Sequence, residues 1–190
     1  MENSKLKIAF LGDSITQYAD ENDFGFIQLL RKNFDAHYII KGVEGHRTWD
    51  LLRRLNNDII KNKPNISFIN GGINDIWWAN VAIEEIIANL NKIYDELLKN
   101  NIMPIAISAS VIQEDLSNNF NRKIDKLNEK IKLNSIDKKI PFVDVNSKMK
   151  KEIQRKTSNE NLLTLDGIHL NEFGNKIFFD EIFSFLKQLP

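Results

Sequence analysis

The chain has 190 residues, of which 42% are hydrophobic and 27% are charged. This length and composition predict one folded domain over residues 1–190. Lys plus Arg and Asp plus Glu both count 26, so nothing in the net charge of zero points to nucleic acid or a membrane surface as the main partner. The lack of cysteine excludes disulfides, a thiolate nucleophile and cysteine-ligated metals. No apolar run is long enough for a membrane span and no signal-peptide pattern is present, so we predict a cytoplasmic protein.

Apolar strands and amphipathic helices alternate along the chain. Short apolar runs predict five strands, at 6–11, 37–41, 66–69, 103–108 and 140–145. Helical spacing predicts helices at 24–34, 48–59, 83–97 and 120–131 and a last helix after Asn171, with Thr48 and Asn171 as N-caps. The polar stretch 146–161 is expected to form a loop or a short helix. The alternation predicts an α/β fold: a three-layer α/β/α, flavodoxin-like domain with about five parallel strands and helices on both faces.

Residues suited to acyl transfer follow the ends of the predicted strands. Ser14, Gly45 and Asn74 come in glycine-containing loops after the first three strands, and Asp166 and His169 precede the last helix. The carboxyl ends of parallel strands lie along one edge of the sheet, so these loops can converge. Together they offer a hydroxyl nucleophile, an imidazole base, a carboxylate to orient it and donors for an oxyanion.

Four segments, in order, resemble the motif blocks of the SGNH, or GDSL-type, serine hydrolases. Gly12–Ile15 resembles the nucleophile block and Gly42–Gly45 the second block. Gly72–Asp75 resembles the GxND block and Asp166–His169 the DxxH block. The resemblance extends from residue 7 to about residue 180 and implies an esterase or lipase that needs no cofactor.

The resemblance also implies a role for each matching residue. Ser14 would attack the ester carbonyl, His169 would take and return its proton, and Asp166 would orient the imidazole. The backbone N–H groups of Ser14 and Gly45 and the side chain of Asn74 would hold the oxyanion. Each residue also has a structural alternative, such as a helix cap for Ser14, a turn glycine for Gly45 and an Asx turn for Asn74.

The substrate pocket is predicted from residues beside these motifs. His46 follows the proposed oxyanion glycine, and Trp77 and Trp78 follow the Asn74 loop, where an indole can stack on a sugar or cover an acyl group. Glu44 and His46 flank Gly45 where many relatives carry other residues, and this difference bears on the substrate site. The three histidines show no metal-ligand spacing, so no metal site is predicted.

The favoured function is hydrolysis of carboxylic esters with short acyl or acetyl groups, including acetylated carbohydrate. The expected partner is a small-molecule ester, and the oligomeric state is left open. Lysophospholipase or thioesterase activity is the alternative within the same family. A flavodoxin-like binding domain that cradles a phosphate at 12–17 is another alternative, but it lacks the glycine-rich phosphate motifs and leaves Asp166 and His169 unused. A catalytically silent carbohydrate binder is a third alternative.

Overall fold

A computed structural model, which describes residues 5–157 and 162–189, contains a sheet of five parallel strands. The strands lie in the order β2-β1-β3-β4-β5, which is the flavodoxin-like order and confirms the predicted fold class. Their bounds are β1 (Lys7–Gly12), β2 (His37–Gly42), β3 (Ile66–Ile69), β4 (Met103–Ile107) and β5 (Phe142–Val143). In the ranges that the structure describes, no helix is both long and apolar enough to cross a membrane.

In the described part of the chain, eight α-helices connect and flank these strands. One group of helices, α3, α5 and α6, packs together, and α2, α7 and α8 form a second group. The helices are α1 (Ser14–Glu21), α2 (Phe26–Asn33), α3 (Thr48–Asp58), α4 (Ile73–Trp77), α5 (Ile83–Lys99), α6 (Asn119–Lys138), α7 (Val145–Arg155) and α8 (Glu172–Leu186), with a short 3-10 turn at Ile60–Asn62.

The core is continuous through the central strands and the helices of the second group. Phe10 on β1 stacks on Phe68 of β3, with ring centroids 4.7 Å apart. Phe10 also meets Phe26 of α2 at 6.0 Å, and Phe26 stacks on Phe178 of α8 at 5.2 Å. These buried rings hold β1, α2 and α8 together, and β1 and α8 are the elements beside which Ser14 and His169 lie.

The region after β1 differs from its prediction. A single helix was expected at 24–34, but the chain forms two helices, with α1 starting at Ser14 and α2 at Phe26. Helix α1 buries only Ser14, Ile15, Thr16 and Ala19, so its apolar pattern is too sparse to reveal it. It begins at Ser14 because the Asp13 side chain accepts the Ile15 N–H at 3.0 Å.

Of the two predicted N-caps, one differs from the structure and the other is confirmed. Thr48 is the first residue of α3 rather than its N-cap, which is Arg47, because the Thr48 hydroxyl donates to Asp75 instead. Asn171 is the N-cap of α8, as predicted, and accepts the Gly174 N–H at 3.0 Å. In the polar stretch 146–161, a helix covers the part up to Arg155, whereas residues 158–161 lie outside the described residues.

Candidate active site

Ser14 lies at the junction of β1 and α1 and is 3% exposed. The junction is tight, because a Cβ placed on Gly12 would lie 2.0 Å from the Thr16 Oγ1 atom and 3.0 Å from the Asn70 carbonyl oxygen. Only glycine therefore fits at the end of β1. As the first residue of α1, Ser14 has a backbone N–H without an intrahelical acceptor, at the end of the helix where the dipole favours negative charge.

His169 and Asp166 complete a hydrogen-bonded relay with Ser14. The Nε2 atom of His169 lies 3.0 Å from the Ser14 Oγ atom, and its Nδ1 atom lies 2.6 Å from the Asp166 Oδ2 atom. The other carboxylate oxygen of Asp166 accepts the N–H groups of Ile168 at 3.0 Å and of His169 at 2.9 Å. A carboxylate at Nδ1 places the ring proton there, which leaves Nε2 free to accept the serine proton.

Asp166 is held in its ionised form. Partial burial raises its pKa, but the hydrogen bonds from the His169 backbone, the His169 ring and the Ile168 backbone outweigh burial and lower the pKa overall. A group hydrogen-bonded in this way remains charged at neutral pH. It can therefore orient the imidazole and stabilise the imidazolium that proton transfer would create.

A buried glutamate that the sequence analysis missed anchors the loop before this relay. Glu114 is 8% exposed and accepts the N–H groups of Leu162 at 2.7 Å, Leu163 at 2.7 Å and Thr164 at 3.2 Å. Burial raises its pKa, but these backbone bonds and the Lys156 ammonium lower it overall. Glu114 belongs to none of the motifs identified in the sequence, so only the tertiary contact with residues 162–164 reveals its role.

Gly45 lies in the loop after β2, and Asn74 lies in the short helix that follows β3. Gly45 has a φ of +72° and open space where a Cβ would lie, so backbone conformation rather than packing favours glycine here. Asn74 is in the first turn of α4, is 7% exposed, and donates from Nδ2 to the His46 carbonyl oxygen at 3.0 Å. The second N–H of that amide remains for another acceptor.

Asp75 ties the Asn74 turn to helix α3. Its carboxylate accepts the Thr48 N–H at 2.9 Å and the Thr48 hydroxyl at 2.6 Å. Asn89 of α5 donates in turn to the Thr48 hydroxyl oxygen at 3.3 Å. Burial raises the pKa of Asp75, although both Thr48 bonds favour its ionised form. The network fixes the position of the neighbouring Asn74.

Asp13 is the most deeply buried carboxyl beside the serine. Its Oδ1 atom caps α1, whereas its Oδ2 atom is buried with no hydrogen-bond partner among the described residues. Burial raises the pKa of Asp13 to about 7, and the neighbouring Asp75 charge adds to the rise. Asp13 therefore shapes the helix start and lies outside the Ser14–His169–Asp166 relay.

The predicted pocket residues have different surroundings. The Nδ1 atom of His46 accepts a hydrogen bond from Arg54 at 3.1 Å. Trp77 packs on Phe120 with ring centroids 4.8 Å apart, whereas Trp78 is 58% exposed. Trp78 is therefore the more accessible of the two indoles.

Tyr18 of α1, which the sequence analysis did not single out, lies beside the imidazole. Its ring centroid is 4.9 Å from that of His169. Because α1 starts at Ser14, Tyr18 is one helical turn beyond the serine and on the same face. The position becomes recognisable once the start of α1 is known.

Comparison with known proteins identifies the family. The model of the GDSL-like Lipase/Acylhydrolase family matches residues 10–177, and the chain therefore belongs to that family. It is a carboxylic ester hydrolase, which decides against the flavodoxin-like binding domain. No curated protein gives a significant match to the chain.

Solved structures of other proteins share this fold. The acetyl xylan esterase AlAXEase is 23% identical, with a TM-score of 0.88, over 95% of this chain and 100% of that chain. A GDSL-like lipase from Bacteroides thetaiotaomicron is 23% identical, with a TM-score of 0.79, over 96% of this chain and 88% of that chain. The acetylxylan esterase of Geobacillus stearothermophilus is 22% identical, with a TM-score of 0.81, over 95% of this chain and 94% of that chain. At these identities the likeness concerns the fold.

Proposed function

We propose that the chain hydrolyses esters of short acyl groups, with acetylated carbohydrate as the favoured substrate class, through an acyl-enzyme on Ser14. The observation that carries the proposal is the continuous relay in which Asp166 Oδ2 lies 2.6 Å from His169 Nδ1, and His169 Nε2 lies 3.0 Å from Ser14 Oγ. These distances suit general-base activation of a hydroxyl.

In the proposed mechanism, the Ser14 Oγ atom attacks the ester carbonyl carbon while its proton passes to His169 Nε2. The carbonyl oxygen becomes an oxyanion that accepts hydrogen bonds from the Ser14 and Gly45 N–H groups and from Asn74 Nδ2. Collapse of this intermediate breaks the bond to the alcohol oxygen, which receives the proton from His169. Water then attacks the acyl-enzyme by the same route and releases the carboxylic acid and the free serine.

The surroundings of the relay support small acyl groups and hydrophilic alcohols. The Asp166 side chain is 55% exposed and Trp78 is 58% exposed, so this edge of the sheet is open to water. A cavity of about 710 Å³ lies between Phe24, Leu29 and Phe173, and its lining does not include Ser14 or His169. Two structural neighbours described as acetylxylan esterases agree with an acetyl ester as substrate.

An ester panel tests the proposal. The initial rates are measured on 4-nitrophenyl acetate, butyrate and octanoate, on acetylated xylo-oligosaccharides, on a lysophospholipid and on an acyl thioester. We expect the highest kcat/KM for acetyl esters and covalent labelling of Ser14 by a fluorophosphonate probe. A preference for octanoate or lysophospholipid would contradict the short-acyl assignment.

The variant Ser14→Ala tests the role of the nucleophile independently of folding. It should fold normally, resist labelling and lose about 10⁴-fold or more in kcat. Turnover near that of the wild type would contradict the role of Ser14.

A further inference from the structure

Arg54 contacts the end of β1 and the loop after β2, both of which lie close to Ser14. It lies on α3, its side chain is 14% exposed, and it pairs with Asp58 through Nη1 at 2.6 Å. Its Nη2 atom donates to the Gly12 carbonyl oxygen at 2.6 Å, and its Nε atom donates to the His46 Nδ1 atom at 3.1 Å. One planar guanidinium therefore has all three of its nitrogens engaged with three different partners, in a fixed geometry that lysine does not reproduce.

The contacts with Gly12 and His46 each adjoin a proposed oxyanion donor. Gly12 ends β1 two residues before Ser14, and its carbonyl oxygen also accepts the Val43 N–H at 3.2 Å. His46 directly follows Gly45, so fixing the His46 ring restrains the peptide next to the Gly45 N–H. The loops of two backbone donors are thus connected through one side chain.

The third donor is connected through the same histidine. The His46 carbonyl oxygen accepts Asn74 Nδ2 at 3.0 Å, which sets the plane of the Asn74 amide and the direction of its second N–H. Burial and the Arg54 guanidinium lower the pKa of His46, which favours the neutral ring that can accept from Arg54. His46 is therefore held from its ring and holds Asn74 by its backbone.

We infer that Arg54 is a positioning residue for the oxyanion site, fixing the Ser14, Gly45 and Asn74 donors relative to one another through Gly12 and His46. This inference rests on the proposed function, because it assumes that these donors bind the oxyanion. Arg54 touches no reacting atom in this role. Its removal should nevertheless lower the rate, because a displacement of about 1 Å at a donor can cost about 100-fold in rate.

A double-mutant cycle tests the inference with 4-nitrophenyl acetate. We expect Arg54→Ala to lower kcat about 10- to 100-fold with little change in KM, since donor alignment matters mainly in the transition state. The loss from Arg54→Ala should be much smaller in an Asn74→Ala background, because one aligned donor is already gone. The control is Arg53→Ala, an exposed arginine one position earlier on α3, which should match the wild type.

A loss that appears in KM alone, or losses that multiply in the double variant, would overturn the inference. Ser14→Ala distinguishes this failure from that of the proposed function, because turnover by Ser14→Ala would remove the oxyanion assignment itself. If Arg54 behaves like Arg53 while Ser14→Ala and Asn74→Ala are impaired, only the role of Arg54 is rejected.

Two substitutions at His46 test the same contact if Arg54→Ala does not fold. Asparagine can place its side-chain oxygen near the position of the imidazole Nδ1 atom, so His46→Asn keeps an acceptor for Arg54, whereas His46→Ala removes it. We expect kcat to fall about 10-fold or more in His46→Ala and to be restored in His46→Asn. Equal activities in the two variants would overturn the inference.

Discussion

The two sides of the candidate site are built differently. On the nucleophile side, which we define as Ser14, Gly45 and Asn74 with their loops, Ser14 is 3% and Asn74 is 7% exposed. On the acid–base loop, which we define as residues 162–171, the side chains of His169 and Asp166 are 24% and 55% exposed. The first side is cross-linked by buried hydrogen bonds from α3. The second is held at its start by the buried Glu114 carboxylate and further along by the Gln113 N–H, which donates to the Gly167 carbonyl oxygen at 2.6 Å.

This difference matches the demands of the proposed reaction. Oxyanion donors must be fixed before the charge develops, which requires a rigid and buried frame. The base delivers a proton to a departing alcohol, and the alcohol needs a route to solvent. Tyr18, whose ring centroid lies 4.9 Å from that of His169, packs beside the proposed base on this more exposed side.

Removing the imidazole of His169, on the acid–base loop, should give the largest loss of kcat. We expect His169→Ala to lower kcat by about 10⁴- to 10⁶-fold, because the serine hydroxyl loses its proton acceptor. The measurement is steady-state hydrolysis of 4-nitrophenyl acetate. His37→Ala, an exposed histidine at the start of β2, is the control. More than about 1% residual kcat in His169→Ala would exclude His169 as the base.

Removing a proposed oxyanion donor on the nucleophile side should give the next largest loss of kcat. We expect Asn74→Ala to lower kcat by about 10²- to 10³-fold with KM nearly unchanged, since the lost hydrogen bond forms chiefly in the transition state. Asn56→Ala, an exposed position on α3, controls for loss of an amide. An effect confined to KM would place Asn74 in ground-state binding instead.

Weakening the hydrogen bonds between Glu114 and the acid–base loop should lower the free energy of unfolding. Glu114→Gln replaces one acceptor oxygen by an NH₂ group that faces backbone N–H donors, so we expect the free energy of unfolding to fall by about 1–3 kcal/mol. Urea denaturation measures the change, and Glu129→Gln, an exposed glutamate on α6, is the matched control. Equal stability of the two variants would show that the Glu114 contacts contribute little.

The pH dependence of stability provides a further test, at the buried Asp13 carboxyl. The pKa of Asp13 is 3.8 in its ordinary state and about 7 in the fold, so folding takes up a proton between these pH values and stability falls as pH rises. Asp13→Asn should remove this fall while keeping the cap, with a change below about 0.5 kcal/mol at pH 4. The readout is the melting temperature from pH 4 to pH 8.

The control for Asp13 is another N-cap. Asp144 caps α7 by accepting the Ser147 N–H at 3.0 Å, and it is half-buried rather than fully buried. Asp144→Asn should keep the slope of the wild type. If Asp13→Asn also keeps that slope, the buried carboxyl does not take up a proton on folding.

Much of the architecture follows from local patterns. The runs that became β1 and β3 are short, largely apolar and followed closely by glycine, which favours a buried strand over a helix. Helix α1 was missed because only a short face of it is buried, and β5 was predicted too long because only Phe142 and Val143 pair with β4. Pairing at a sheet edge depends on the neighbouring strand, which a local pattern does not contain.

The sequence by itself determined the motifs and their order, and it suggested the chemistry that we propose for Ser14, Asp166 and His169, because residue type and spacing are local properties. Only the tertiary structure decided how these groups are held. Glu114 lies 48 residues before Leu162, and Arg54 lies 42 residues after Gly12. Such contacts form when folding brings distant segments to one edge of the sheet, and no local pattern in either segment predicts the contact.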